Sequence, residues 1–532
     1  MQIKANLVDI KRRKITPSLL EMKNGFIESV TEIDEECSTF VLPGFIDAHI
    51  HIESSMVIPS EFARLAVVHG SVAVVSDPHE IANVMGALGV EFMLKNAEQT
   101  KFKFFFGASP CVPATPFETS GATLDVEAVT KLLQNPKIKF LSEVMNFPGV
   151  ISQDEDMMQK INAAKVANKP IDGHAPALRG DDLSSYINAG ISTDHEAFSY
   201  EEGLEKLQKG MKILIREGSA AKNFEALHPL IEEHFQNMMF CSDDKHPNDL
   251  LKGHINEMVS RAISFGYDKF KVLQMACLNP IEHYNLEVGS LKVGDSADFI
   301  EVEDLEQFKV LQTVINGEIV AKNGKTNLNS LEVEPINKFE ATPKTAKDFY
   351  LPKCENMEVI QVVDHELMTY EKVSRDINDE DILKIAVINR YENKPIKGLA
   401  HVRGFGLKKG AIASSVAHDS HNIIVVGCSD EAMAQATNLV INAKGGVSAV
   451  DDKNSFLLAL PVAGIMSNRD GFSVAKEYEQ IDRFVKKELG SKLSAPFMTL
   501  SFMALLVIPE IKLSDKGLFD GRSFHFISPC KS

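Results

Sequence analysis

A chain of 532 residues is too long for one ordinary domain and long enough for two or three. Hydrophobic residues make up 44% of it, so a large core is expected, while 56 basic against 74 acidic side chains leave a formal charge of −18. That balance excludes the basic stripe a phosphate backbone attracts, so a small-molecule substrate is expected and no nucleic acid.

The opening residues, MQIKANLVDIKRRK, contain no apolar leader core. Residues 1–40 read as short strands around a turn at Gly25. From 41 to 285 strand-like apolar runs alternate with amphipathic stretches. The runs fall at 41–51, 70–78, 103–110, 138–145, 169–176, 190–196, 212–219 and 238–244, with helical spacing in 82–98 and 152–167. Eight such units in about 240 residues predict an α/β fold, a (β/α)8 TIM-type barrel; an open doubly wound sheet is the alternative. Residues 286–335 return to strands and glycine turns, and with 1–40 are expected to form a small β domain of sandwich type. Pro343 to Pro352 reads as a linker. The remainder, 340–532, mixes strands (IAVINRY, NIIVVGCS) with a helix (DEAMAQATNLVINAK), which predicts an extra C-terminal α/β or α+β domain.

The longest apolar stretch, Met498 to Ile511, is broken by Thr499, Ser501, Pro509 and Glu510. It falls short of the roughly 20 residues a membrane span needs, so no membrane partner is expected and the stretch reads as core. The seven cysteines are scattered, odd in number and without a C-x-x-C pair. This argues against a disulfide framework or zinc ribbon and for a reducing cytoplasmic location.

His49 and His51 are two apart at the end of the first barrel run. Residues i and i+2 of a strand share a face, so both imidazoles reach one ion at the mouth where barrel sites sit. A lone His-x-His is often structural. Glu143, His174, His195 and Asp243 stand at the ends of four further runs, however, and a chance gathering of four histidines and two acids there is improbable. Imidazole and carboxylate donors without thiolate suit Zn, Mn, Fe or Ni. Asp77, His79 and Glu80 reach the same rim after the second run and are substrate-binding candidates, although Asp77 also suits a helix cap. Ser109 and Asp244 are weaker candidates. His418, Asp419 and His421 (HDSHN) form either a second metal site, a polar loop, or a segment that closes the pocket.

PGFIDAHIHIESS resembles the first-strand motif of the amidohydrolase superfamily, and GSLKVGDSADFIEVE resembles that superfamily's returning β segment. HIHIESS, VSDPHEIANV, SEVMNFPGV, DGHAP, STDHE, CSDDKHP and HDSHNIIVVG resemble its adenine deaminase branch, over nearly the whole chain including 340–532. Many superfamily members carry a carboxylated lysine where this chain has Glu143; a glutamate bridges two ions without modification. The resemblance implies hydrolysis of adenine to hypoxanthine and ammonia in purine salvage, with water activated by a binuclear divalent metal site, Mn(2+) or Fe(2+) favoured and Zn(2+) possible. It implies His49, His51, Glu143, His174, His195 and Asp243 as ligands, with Asp243 and Glu143 catalytic. Asp243 would move the proton. His418 and His421 join Asp77, His79 and Glu80 as substrate-binding candidates. The alternatives are another amidohydrolase acting on a cyclic amide or a different nucleobase, and a barrel that has lost catalysis. A homodimer is the default assembly.

Overall fold

The computed structural model describes residues 1–352, 354–374 and 381–531; Lys353, 375–380 and Ser532, all within the stretch expected as a C-terminal domain, lie outside the described residues. Four strands come first: β1 (Gln2–Asp9), β2 (Lys14–Lys23), β3 (Phe26–Glu32) and β4 (Phe40–Pro43). Eight barrel strands follow: β5 (Phe45–Ile50), β6 (Ser71–Ser76), β7 (Lys103–Ala108), β8 (Ile138–Val144), β9 (Ile171–Gly173), β10 (Thr193–Asp194), β11 (Lys212–Arg216) and β12 (Met238–Cys241). β5 through β9 pair in parallel, as do β10 through β12. The Ser192 N–H donates to Ile171 O (2.9 Å) across the first seam, and the Asp243 N–H donates to His49 O (3.0 Å) across the second, so the eight strands close on themselves. β5 and β6 are buried along their whole length, because helices cover the outer face while side chains fill the inside.

The expected helices lie between the strands. Residues 82–98 fall on His79–Met85 and Ala87–Ala97, and 152–167 on Glu155–Val166. Asp125, Asp154 and Ser199 cap their helices through side-chain oxygens. Asp77 caps nothing: the cap position before His79–Met85 is Pro78, with no side-chain bond.

After the barrel come β13 (Phe299–Val302), β14 (Val310–Ile315), β15 (Glu318–Lys322) and β16 (Lys325–Thr326). They join β1–β4 in one eight-stranded sheet, in the order β16-β15-β14-β13-β4-β1-β2-β3. The Ile27 N–H donates to Asp295 O (2.9 Å), folding β3 back onto the segment that leads into β13. Leu20, Ile27, Phe299 and Val314 pack inside the fold-over.

The C-terminal region contains β17 (Met357–Gln361), β18 (Tyr370–Ser374), β19 (Ile382–Ile388), β20 (Gly398–Arg403), β21 (Ala411–Ser414), β22 (Ile423–Gly427), β23 (Gly446–Val450) and β24 (Ser455–Ala459). These make a mixed sheet, β18-β17-β20-β19-β22-β21-β23-β24. Helix Asp430–Asn442 covers one face through Met433, Ala436 and Val440. The other face merges with the barrel in one continuous apolar core that includes Ile385, Ile412 and Ile424 beside Ile50 and Val57. Polar ties flank that seam: the Gly471 N–H donates to Glu61 (2.8 Å), and Arg64 donates to Asp470 (2.7 Å). A small sheet of β25 (Ile511–Ser514), β26 (Gly517–Asp520) and β27 (His525–Ile527) completes the chain.

Two details depart from the sequence reading. The 343–352 stretch is an anchored segment, because Phe349 is fully buried in the C-terminal core and a Thr345/Asp348 capping box starts a short helix there. Cys354 and Cys530 form a disulfide although 176 residues separate them; strand pairing near the chain end brings their Cα atoms to 5.9 Å. Of the described residues, no helix is long and apolar enough to cross a membrane.

Candidate active site

Barrel strands deliver their ends to one rim, and here the residues at or just beyond those ends are mostly polar and buried. His49 is the penultimate residue of β5 and His51 follows the strand; Asp77, His79 and Glu80 follow β6; Glu143 lies in β8; His174 and His195 follow β9 and β10; Arg216 ends β11; Asp243 and Asp244 follow β12. All are at least nine-tenths buried. Asp243 adopts a left-handed φ of +52°, which aspartate tolerates better than most residues, and its bond to His49 O turns its carboxylate inward.

Glu143 is the centre. His174 Nδ1 lies 2.8 Å from its Oε2 and His195 Nε2 3.2 Å from the same oxygen, while His51 Nε2 and His79 Nδ1 each lie 3.3 Å from Oε1. Asp243 Oδ1 stands 3.1 Å from His51 Nε2 and 3.5 Å from His49 Nε2. The supports behind these groups are specific. His51 Nδ1 donates to Asp77 O (3.1 Å), which turns Nε2 inward toward Asp243 and Glu143. Arg216 donates to Asp243 Oδ2 (2.8 Å) and pairs with Glu196. Ser109 donates to Asp77 Oδ1 (2.5 Å), and Asp77 Oδ2 pairs with His79 Nδ1 at 3.1 Å.

A second carboxylate, Glu80, faces the C-terminal domain. His418 Nε2 lies 2.7 Å from its Oε1, and His421 Nε2 contacts Oε2. His418 also reaches Asp244 (3.2 Å), which accepts from Ser54 (2.5 Å). Asp419 approaches His79 at 3.6 Å. Leu367, Phe502 and Leu505 roof the small cavity, about 30 Å³, that lies between the two carboxylates; His421 does not line it.

Six acids and one guanidinium line that cavity. Burial disfavours every one of those charges, so the cluster demands cations. His195 is pushed up to about 10: burial pulls it down, but Glu143 and Glu196 more than offset this. His51 rises well above the usual imidazole range for the same reason, through Asp243 and Glu143. Glu143 is held well below the carboxylate range because the histidines, His174 first, outweigh its burial. His49 goes the other way, lowered by burial and by His195, and its lone pair is free to bind. Protonated imidazoles and divalent ions answer the same demand, and a metal displaces such protons. The donors fit an ion: His49, His195 and Asp243 form one compact set, Glu143, His174 and His195 another, each within 4.8 Å, and His174 Nε2 is buried without a partner.

All six residues expected to hold metal thus converge around Glu143 and Asp243. Of the five expected to meet substrate, Glu80, His418 and His421 gather in the second cluster and His79 lies between the two, whereas Asp77 is buried behind His79 on the Glu143 side and does not line the cavity. Arg216, Glu196, Leu367 and Phe502 were not read from the sequence. Arg216 and Glu196 had a signal, since each closes or follows a barrel run (KILIREGS, STDHE). The roof residues had none.

The amidohydrolase family pattern matches residues 40–320, and the adenine deaminase C-terminal domain pattern matches 359–525. An adenine deaminase of Sulfurovum sp. is 63% identical over 535 residues, covering all of both chains. Those of Salinibacter ruber and Methanosarcina acetivorans are 50% and 48% identical over at least 98% of each chain. With this similarity running end to end, and with the rim chemistry built on the segments that carry it, the chain belongs to the adenine deaminase branch of the amidohydrolase family.

Proposed function

We propose that the protein hydrolyses adenine to hypoxanthine and ammonia, and that Glu143 would be shared by the donor sets of two divalent ions. The observation that carries this reading is the convergence of four imidazoles and Asp243 around one buried glutamate, in a chain matching adenine deaminases along its whole length. His49, His51 and Asp243 would hold one ion, His174 and His195 the other. When bound, such ions supply Lewis acidity and make water acidic enough to react near neutral pH.

The chain's own groups do the rest. Adenine gains the oxygen of one water at C6 and loses its amino nitrogen as ammonia; one C–O bond forms and one C–N bond breaks. The two protons of that water are shared out: one goes to a ring nitrogen of the product and one to the departing amino nitrogen. Asp243 is the carrier: Arg216 holds its Oδ2, leaving Oδ1 toward His49 and His51. Glu80 is kept ionised, well below the carboxylate range, because His418 and His421 outweigh its burial. It therefore accepts a hydrogen bond from a purine N–H. His79, oriented by Asp77, faces the leaving nitrogen. Leu367, Phe502 and Leu505 cover the ring and exclude bulk water.

Mn(2+) or Fe(2+) is the favoured pair, supported by an all nitrogen and oxygen donor set, with Zn(2+) the alternative. A role in purine salvage, a cytoplasmic location and a homodimer complete the proposal; the five unpaired cysteines favour a reducing compartment, and the Cys354–Cys530 disulfide counts against it. The divisions 1–40 with 286–335, 41–285 and 340–532 are proposed as domains, supported by the sheet memberships above.

The test is the purified chain loaded separately with Mn(2+), Fe(2+) and Zn(2+), assayed for ammonia from adenine, guanine and cytosine and for ring opening of hydantoin. Adenine turnover far above the others is expected. No ammonia from adenine at two metal equivalents would remove the substrate assignment.

A further inference from the structure

Both oxygens of Glu80 are engaged by histidines from a different part of the chain, and the two histidines are not equivalent. His418 lines the cavity, whereas His421 is fully buried behind Glu80 and does not. The Ala417 N–H donates to His421 Nδ1 at 3.2 Å. A ring nitrogen that accepts carries no proton, so the neutral ring bears its proton on Nε2, the atom facing Glu80 Oε2. Burial, the largest influence on it, holds His421 below the usual imidazole range and keeps it neutral.

The loop that presents His421 is fastened on both sides of the seam. Asn422 donates to Thr119 O in the barrel (2.9 Å) and accepts the Arg390 N–H (3.1 Å), and the Tyr391 hydroxyl donates to Ser420 O (2.5 Å). A ring nitrogen this firmly held in contact with one oxygen of an acid, with a second imidazole against the other oxygen, restricts the rotamer of that acid. The backbone of His79–Met85 alone leaves Glu80 free to rotate about three side-chain bonds.

We infer that His421 is a positioning residue for deamination: a tautomer-locked N–H donor from the C-terminal domain that orients Glu80 toward the purine edge without touching substrate. This rests on the reading above, in which Glu80 meets that edge.

The experiment uses the full-length, metal-loaded enzyme and the variants H421F, H421Q, H421N, E80Q and E80Q/H421F, with metal content, melting temperature, kcat and KM measured for each. H421F is expected to lower kcat about 100-fold, the scale of a misplaced catalytic contact. H421Q, whose amide nitrogen reaches the place of Nε2, should recover to within about tenfold of wild type, and H421N, which stops short, should not. In the E80Q background H421F should cost almost nothing, because its effect passes through the carboxylate. Wild-type kcat in H421F, or equal losses in H421Q and H421N, would overturn the inference, as would an undiminished penalty in E80Q. Should H421F fail to fold, the Gln and Asn pair decides alone. Full activity in E80Q would instead remove Glu80 from the reaction, and the inference with it, while leaving adenine turnover itself intact.

Discussion

Glu143 and Glu80 are both buried carboxylates gripped by imidazoles, yet they are built from different material. The histidines around Glu143 come from strand ends of the barrel alone, within residues 51–195. The two nearest Glu80 come from positions 418 and 421, with the barrel's His79 farther off at 3.6 Å, and they reach it only because the C-terminal sheet shares a core with the barrel. The barrel alone can therefore bring together the candidate metal donors, and the C-terminal residues close the other side of the cavity around Glu80. On the proposed function, the barrel would carry the reaction class and the interdomain contacts the choice of substrate.

The sharpest way to break that comparison is to remove each carboxylate and count metal. Glu143→Ala should abolish turnover, by about 10⁴-fold or more, and lower bound metal below two equivalents per chain, because the bridging donor is gone. Glu80→Gln should lose about 10²–10⁴-fold in activity with both equivalents retained. If Glu80→Gln loses metal as Glu143→Ala does, the two clusters are one site and the division fails.

A smaller effect is expected at Arg216, the one guanidinium in the cavity wall among the described residues, which holds Asp243 Oδ2 at 2.8 Å. Arg216→Gln keeps a donor but loses the charge and the pairing with Glu196. A loss of about 10–100-fold is expected, the range seen when a support behind a metal ligand is removed, with weakened metal affinity. Unchanged metal affinity and rate would show that Asp243 is oriented by its backbone turn alone.

The barrel was legible because its strands are covered on both faces and so read as unbroken apolar runs, each closing on a polar residue. VLPGFIDAHIH and IKFLSEVM announce both the strand and its functional end. What the sequence concealed depends on distance along the chain. Nothing near Glu80 indicates that its partners lie at 418 and 421, and HDSHN by itself reads equally well as a solvated loop. Leu367 and Phe502 look like ordinary core residues. Phe349 looked like part of a linker because Pro343 and Pro352 flank it, yet one buried ring fastens the segment. Arg216 and Glu196 read as the charged ends of a strand and a turn until the closed barrel sets them 20 residues apart in sequence but side by side in space.

The seam also holds a third buried acid with the opposite behaviour. Glu118 is 5% exposed and lies beside Asp419 and Ser420. Burial, and then the charge of Asp419, raise it to about 8 from an ordinary 4.5, so it is neutral where Glu80 is ionised. The unfolded chain releases this proton near 4.5 and the folded chain only near 8, so between those values the fold binds more protons. Its stabilising contribution is complete below about pH 4.5 and is lost as pH rises through 8, at roughly 1 kcal/mol per pH unit. Glu118→Gln replaces the neutral acid by a neutral amide of similar shape that does not titrate. The melting temperature of the variant relative to wild type should therefore climb between pH 5.5 and 8.5, in metal-loaded samples followed by differential scanning fluorimetry. Parallel melting curves across that range would mean that Glu118 ionises within the fold at its ordinary pH, and that the seam tolerates a charge beside Asp419 which its burial forbids.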